Sequence, residues 1–233
     1  MNRELFKYSY TLRKEKQSKN TKIIMSIIIS MIFVCVYLNF VAFPIRQTSS
    51  SMNPDLPVNS VVSITPIVKT PDRGDIILIK PKADYHKNIF KNTGNEIAMF
   101  FTAQQIDLLE KNNNPGSVER LRRVVAMPGD TIYMKDYKLY VKPRNERHFL
   151  TEFELSEKTY NVVFCKSPAD WDNAIGITGD FDEMTLGNDE YFVLSDDRLA
   201  AEDSRLWGQI KQSEIVGKAF LCYFPFNKMK FLF

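Results

Sequence analysis

The longest hydrophobic feature of the chain is an uncharged run of 21 residues, 23–43, which reads IIMSIIISMIFVCVYLNFVAF. At about 1.5 Å per residue, a helix of this length covers the ~30 Å hydrocarbon core of a bilayer. A buried helix of a soluble domain has a polar face, whereas the polar residues of this run are Ser26, Ser30 and Asn39. The run therefore predicts a membrane-spanning helix.

Beyond the run, the hydrophobic residues form short β-branched or alternating segments that end at turn residues, a pattern typical of strands. These segments are residues 59–65, 74–80, 131–141, 191–194 and 215–224. The 131–141 segment alternates on both sides of Lys135-Asp136, which predicts a hairpin with a tight polar turn. We therefore expect a mainly β domain after the membrane helix.

Residues 97–111 depart from this pattern, because their apolar positions recur at helical spacing until Asn-Asn-Asn-Pro-Gly at 112–116 ends the periodicity. The spacing predicts an amphipathic helix within an insertion. Core packing is the favoured interpretation of its apolar stripe, and a membrane-surface or partner contact is the alternative.

Charge is distributed unevenly along the chain. The first 22 residues hold seven Lys or Arg and two Glu, a net charge of +5, whereas the whole chain carries +3, so the remainder is −2. The part of the chain after residue 22 therefore has no positive field that would attract nucleic acid. Basic residues stay on the cytoplasmic side of a membrane helix. The predicted organisation is a cytoplasmic segment 1–22, a transmembrane helix 23–43 and an extracytoplasmic domain 44–233, in the cell (inner) membrane with one crossing.

A long cleaved signal peptide is the alternative interpretation of the N-terminus. The apolar part of such peptides is only ~7 to 15 residues, and no convincing small-x-small cleavage site follows this run.

Cysteine and histidine residues add little candidate chemistry. No Cys/His cluster has metal-ligand spacing, so we expect neither a metal nor another cofactor. Cys165 and Cys222 could pair in an oxidising compartment, although unpaired buried thiols are the favoured interpretation. The sequence does not define an oligomeric state.

A serine cluster, Ser49-Ser50-Ser51-Met52-Asn53-Pro54, begins about six residues after the run. The reach of the chain keeps these hydroxyls within roughly 20 Å of the bilayer. A serine becomes a nucleophile only with a base beside it and with donors for the oxyanion. Taken alone, the cluster is more typical of a solvated linker.

Three further blocks follow the serine cluster in a fixed order. They are RGDII at 73–77, LRRVVAMPGD at 121–130, and SDDR at 195–198 with DSRLWG at 203–208. With the serine cluster behind a membrane helix, they resemble the bacterial type I signal peptidases, membrane-bound serine endopeptidases that remove signal peptides from exported proteins. The resemblance runs from the anchor to about residue 220, apart from insertions at about 82–119 and 143–188. It implies a signal-peptidase-type β domain with a partly helical insertion.

The resemblance also implies roles for individual residues. Ser51 corresponds to the nucleophile and Met52 to the methionine beside it, while the Ser49 hydroxyl and the Ser51 backbone N–H correspond to the oxyanion donors. Asp203 and Arg205, together with Arg123, correspond to a supporting polar network. The family binds its exported preproteins as extended peptides and favours Ala-x-Ala, so the surroundings of Ser51 and residues 122–126 are expected to line a peptide groove.

Four positions depart from the family pattern. Arg122 occupies the position of the general-base lysine, and a guanidinium cannot act as a neutral amine. Ala201 replaces a serine that orients that lysine, while Ser195 and Asp197 replace a glycine and an asparagine.

Three explanations stay open. Another base could serve, with His86, His148 and Asp203 as the candidates. The protein could cleave slowly, with Arg122 stabilising charge while water or substrate takes the proton. It could instead be a catalytically impaired relative that binds signal peptides or a membrane partner without cleaving. Endoproteolysis after small residues of preproteins is the predicted function.

Overall fold

The computed structural model describes residues 2–37, 41–79, 120–163, 179–199 and 202–232, with the backbone alone for 2–13, 35 and 36. Its first element is a long helix, α1 (Asn2–Val36). Apolar side chains along its second half are exposed, including Ile27 at 62% and Phe33 at 70%. Within the described residues, hydropathy identifies no helix long and apolar enough to cross a membrane.

Twelve strands within the described residues make the chain mainly β, as predicted. They are β1 (Phe43–Arg46), β2 (Val61–Thr65), β3 (Ile76–Ile79), β4 (Arg120–Ala126), β5 (Thr131–Lys135), β6 (Lys138–Lys142), β7 (Leu150–Thr151), β8 (Phe181–Thr185), β9 (Glu190–Leu194), β10 (Ile210–Lys211), β11 (Ile215–Phe224) and β12 (Lys230–Phe231). Two one-turn helices, α2 (Glu152–Leu155) and α3 (Ser204–Trp207), lie between strands.

Among the described residues, these strands form two sheets. The larger sheet has eight strands in the order β1-β2-β11-β3-β4-β9-β10, with β12 paired to β11. The smaller sheet has the order β7-β6-β5-β8. The pairings between these strands are antiparallel. Strands β3 and β4 lie at the centre of the larger sheet, with Ile77 opposite Arg122 and Ile76 opposite Arg123.

The predicted hairpin is confirmed, with its turn one residue later than expected. Lys135 pairs with Lys138, so Asp136 and Tyr137 form the turn. Both have positive φ, 50° and 61°, the conformation of a two-residue turn that follows the right-handed twist of the strands. The Tyr137 N–H donates to the Gly179 carbonyl at 2.9 Å, which fixes this turn against the following segment.

Within the part of the chain that the structure describes, three hydrophobic clusters hold the sheets together. One lies beneath β2, β3, β4 and β11 and includes Met52 and Leu56. The second packs the β5–β6 hairpin against β4 and β9. The third covers the other face of the larger sheet. Because successive strand residues point to opposite faces, β3 is buried throughout: Ile76 and Leu78 enter the first cluster, and Ile77 and Ile79 the third.

Some of the sequence predictions concern residues outside the described ranges. The helix predicted at 97–111 lies outside the described residues, as do His86, Cys165 and Ala201. Cys222 is a free, buried thiol, which agrees with the favoured interpretation for that residue. Burial raises the pKa of this thiol.

Candidate active site

Ser51 lies in a short 3₁₀ turn, Ser50–Met52, between β1 and β2. The next side chain, Met52, is fully buried and packs with Leu56 in the first hydrophobic cluster. The Ser51 carbonyl accepts a hydrogen bond from the Asp197 N–H at 3.0 Å. Core packing on one side and the 195–198 block on the other therefore fix the position of Ser51, of which 3% is exposed.

Among the described residues, three polar groups contact the Ser51 hydroxyl oxygen. Gln47 Nε2 donates to Ser51 Oγ at 3.1 Å, and Arg122 Nη1 donates to it at 3.1 Å. Ser49 Oγ lies 2.9 Å from the same atom. The structure thus brings together Ser49, Ser51 and Arg122, three of the residues that the sequence places in the site, although Arg122 is 71 positions from Ser51.

Backbone carbonyl groups hold the guanidinium of Arg122 in place. Nε and Nη2 both donate to the Glu202 carbonyl, at 2.9 and 2.5 Å, and Nη1 also donates to the Leu121 carbonyl at 2.6 Å. Because these acceptors belong to the main chain, they fix the plane of the guanidinium and direct one N–H of Nη1 towards Ser51. Arg122 is 5% exposed.

Burial lowers the pKa of the Arg122 guanidinium to about 10. The negative charge of Asp203 opposes this shift, and the positive charge of Arg120 adds to it. The group nevertheless remains protonated near pH 7, where its N–H groups donate and do not accept. Arg122 therefore supplies positive charge and hydrogen-bond donors to Ser51, and it provides no acceptor for the serine proton.

Asp203 and Arg205 form a buried pair at the start of α3. Arg205 Nε donates to Asp203 Oδ1 at 2.9 Å and Nη2 to Asp203 Oδ2 at 2.8 Å. Burial alone would raise the pKa of Asp203, but the hydrogen bonds and charge of Arg205 outweigh it, so the net shift is downward. Ser195, at a position where the family has glycine, also contacts this carboxylate: its Oγ donates to Asp203 Oδ2 at 2.7 Å.

Arg123 belongs to a second polar group on the opposite face of β4 from Arg122. Its Nε and Nη2 bind Asp196 at 2.7 and 2.6 Å, and Nη2 also contacts Asp55 at 2.9 Å. Its guanidinium lies 4.2 Å from the ring centroid of Tyr160. Burial opposes the charge of Arg123, yet Asp196 more than compensates and raises the pKa. Arg123 thus fixes the position of the 195–198 block. Its hydrogen bonds within the described residues do not include Asp203 or Arg205.

Two of the candidate bases can be located. His148 lies in an exposed loop after β6. The Asp203 carboxylate faces Arg205 and Ser195, and its described hydrogen bonds do not include Ser51. Gln47 contacts both Ser49 and Ser51 and was not among the predicted site residues. Its position four residues before Ser51 is visible in the sequence but does not specify where its side chain lies.

A serine acyl-transfer site requires a nucleophile, a base and donors for the oxyanion, and the described residues around Ser51 supply a buried hydroxyl and N–H donors. The model of the family described as "Signal peptidase, peptidase S26" matches residues 20–224. The chain therefore belongs to the signal peptidase family.

Two signal peptidases of Bacillus subtilis match this chain over nearly its whole length. The chain is 26% identical to signal peptidase I U of Bacillus subtilis (strain 168) over 225 residues, covering 94% of this chain and 95% of that protein. It is 28% identical to signal peptidase I P of Bacillus subtilis subsp. natto over 223 residues, covering 93% and 97%. A crystal structure of a signal peptidase I from Enterococcus faecalis V583 is 19% identical, with a TM-score of 0.34, and covers 65% of this chain and 97% of that one.

Proposed function

We propose that the protein is a serine endopeptidase that removes N-terminal signal peptides from exported preproteins, with Ser51 as its nucleophile. Membership of the signal peptidase family carries the reaction class. Ser51 is proposed as the nucleophile because its Oγ contacts the buried Arg122 guanidinium. This contact brings together two of the family's sequence blocks, the serine cluster and residues 121–130. The family relatives do not favour a protein that binds signal peptides without cleaving them.

In this reaction, the Ser51 hydroxyl gives up its proton and Oγ attacks the carbonyl carbon of the scissile bond. The C–N bond then breaks, and the amine of the mature protein leaves with a proton from water. Water hydrolyses the acyl-enzyme that remains and releases the signal peptide. The Ser49 hydroxyl and the Ser51 backbone N–H donate to the oxyanion. Arg122 adds a fixed positive charge next to the developing negative charge, where burial makes electrostatic stabilisation effective. Met52 anchors the turn, while Arg123, Asp203 and Arg205 hold the surrounding loops.

The substrate is an extended peptide with small residues before the cleaved bond, of the Ala-x-Ala type. It binds next to the Ser51 turn and residues 122–126 by strand addition, in which backbone hydrogen bonds provide affinity and alternate side chains are read. We expect no metal or cofactor in this reaction, because serine acyl transfer requires a nucleophile, an acceptor for its proton and donors for the oxyanion.

Residues 23–43 anchor the protein in the cell membrane, with residues 1–22 in the cytoplasm and 44–233 outside it. The exposed apolar side chains of α1 support the anchor, as does the concentration of basic residues before them. The uncharged run extends past the end of α1 through residues 38–40, which lie outside the described residues. An anchor so close to Ser51 keeps the site near emerging preproteins.

Cleavage of a preprotein by the purified full-length protein in detergent tests this function. We expect one cut after an Ala-x-Ala sequence, located by the N-terminal sequence of the product. The same preprotein with a bulky residue directly before the bond is the control and should remain intact. An unprocessed Ala-x-Ala preprotein that still binds the protein would contradict peptidase activity and favour the binding function.

The C-terminal segment is expected to contact the bilayer surface. Phe226 and Met229 are 76% and 62% exposed, beside the basic residues Lys228 and Lys230, a composition suited to a membrane interface. In vesicles containing the full-length protein, Phe226→Trp should add fluorescence that is quenched by brominated lipids. The control Lys138→Trp, in the β5–β6 hairpin, should add unquenched fluorescence. Equal quenching of both variants, or of neither, would contradict the contact.

A further inference from the structure

Gln47 is a buried polar residue next to the serine cluster, and 5% of it is exposed. Its backbone is fixed at the end of β1: the Gln47 N–H donates to the Ser60 carbonyl at 2.8 Å, and its carbonyl accepts from the Asn59 N–H at 2.7 Å. These two bonds leave the amide side chain as the part of Gln47 that faces the site.

The contacts of the amide define its orientation. One amide atom lies 2.9 Å from the Ser49 backbone carbonyl, which can only accept a hydrogen bond, so this atom is Nε2. The same nitrogen lies 3.1 Å from Ser49 Oγ and 3.1 Å from Ser51 Oγ. Its two hydrogens serve three acceptors, and Ser51 Oγ is one of them.

The directions of the remaining bonds follow from this orientation. Arg122 can only donate, so Ser51 Oγ faces two obligatory donors, Gln47 Nε2 and Arg122 Nη1. A hydroxyl oxygen has two lone pairs and one hydrogen. Of the three groups bonded to Ser51 Oγ in the described structure, Ser49 Oγ is the one able to accept that hydrogen, at 2.9 Å. The Ser49 hydrogen is then directed away from Ser51.

We propose that Gln47 is a catalytic residue, whose amide forms with Arg122 a pair of donors that stabilises the Ser51 alkoxide in place of a neighbouring base. This inference rests on the proposed role of Ser51. Hydrogen bonds to the charged form of a group favour that form, and a buried charge gains more from them than an exposed one.

The proton leaves by way of Ser49. The Ser51 O–H bond breaks as its proton passes to Ser49 Oγ, while the proton of Ser49 passes to a hydroxide ion from solvent and forms water. The Ser51 alkoxide then attacks the substrate carbonyl carbon, and Ser49, whose hydroxyl now carries the hydrogen received from Ser51, donates it to the oxyanion. A carbon–oxygen bond forms, and the carbonyl π electrons move to the carbonyl oxygen.

The proposal is tested by replacing the hydroxyl with a thiol whose ionisation can be measured. In the full-length protein in detergent, Ser51→Cys is alkylated with iodoacetamide across a pH series, and mass spectrometry follows the modified peptide. The midpoint of the pH profile reports the thiol pKa independently of access to the site. We expect it below the ordinary value of about 8.5. Adding Gln47→Leu should raise it by about one unit, and adding Gln47→Glu should raise it further.

Gln212→Leu, in a turn away from the site, is the matched control and should leave the midpoint unchanged. Gln47→Leu in the native Ser51 protein gives a second readout: kcat on a preprotein should fall about tenfold with KM little changed and the unfolding temperature within a few degrees. A thiol midpoint that Gln47→Leu does not move would overturn the proposal. A midpoint shift without preprotein cleavage would preserve the pair of donors at Ser51 and contradict the peptidase function, because the thiol titration needs no substrate.

Discussion

Ser51→Ala is expected to abolish preprotein cleavage, with a fall in kcat of at least about 100-fold, because the acyl-enzyme requires the Ser51 oxygen. Gln47 and Arg122 contact that oxygen but carry no hydroxyl that could form the acyl ester, and Ser49 acts in this proposal as an oxyanion donor. Signal-peptide binding should persist, since the groove is unchanged. The measurements are single-turnover cleavage of an Ala-x-Ala preprotein and a binding titration of its signal peptide.

The matched control for this substitution is Ser50→Ala, which removes a hydroxyl from the same 3₁₀ turn. It should retain turnover within a fewfold of the native protein. Ser51→Ala also leaves two buried donors without their shared acceptor, which costs about 1–3 kcal/mol in the free energy of unfolding. Thermal unfolding therefore accompanies the kinetics. A folded Ser51→Ala protein that still cleaves at the native rate would exclude Ser51 as the nucleophile.

The strands that the sequence predicts well are those with a complete hydrophobic pattern. β3 and β11 were recognisable from β-branched or apolar runs, and the β5–β6 hairpin from alternation on both sides of a turn. The two-residue strands β7, β10 and β12 were not, because two residues contain no periodicity. Their positions depend on tertiary contacts that become visible only when distant strands pair.

The candidate site, like the strands, was predictable only in part. The ordered blocks brought Ser51 and Arg122 into one prediction, and the structure places them in contact. The partners of Arg123 were not predictable, because they depend on which face of β4 it occupies and which loop meets that face; Asp196 and Asp55 meet it. Gln47 was overlooked for a comparable reason, since no pattern specifies a side chain that turns back over its own segment.

Three of the four departures from the family pattern, Arg122, Ser195 and Asp197, lie in the described residues and form hydrogen bonds there. Ser195, in place of a glycine, donates to Asp203, and Asp197 accepts from the Leu199 N–H at 3.1 Å while its own N–H binds the Ser51 carbonyl. Arg122 is held by two backbone carbonyls. The substitutions at Arg122, Ser195 and Asp197 therefore fit one arrangement of hydrogen bonds near Ser51.

Arg122→Lys should convert this arrangement into one with a general base and raise turnover. An amine in this pocket would experience the burial that lowers the pKa of Arg122 to about 10, opposed by the negative charge of Asp203 and aided by the repulsion of Arg120. It would start from about 10.4, so its pKa would fall towards neutrality and a useful fraction would be unprotonated. General-base catalysis typically contributes ~10²- to 10⁴-fold, and we expect kcat to rise by about 100-fold at pH 8.

The pH profile distinguishes a base from a mere change in packing. In Arg122→Lys, activity should be low while the amine is protonated, rise as pH passes its pKa and then level off. The native protein should rise about tenfold per pH unit without such a plateau between pH 6 and 9, since Arg122 stays charged there. Cleavage rates of both proteins on the same preprotein across this range make the comparison.

Arg123→Lys is the matched control, because it makes the same exchange at the next residue, on the opposite face of β4. It loses the two-pronged contact with Asp196 and should lower the unfolding temperature without raising kcat or introducing a plateau. If folded Arg122→Lys protein cleaves no faster than the native protein at any pH from 6 to 9, a missing base does not limit this site. The donors that surround Ser51 would then carry its activation in both proteins.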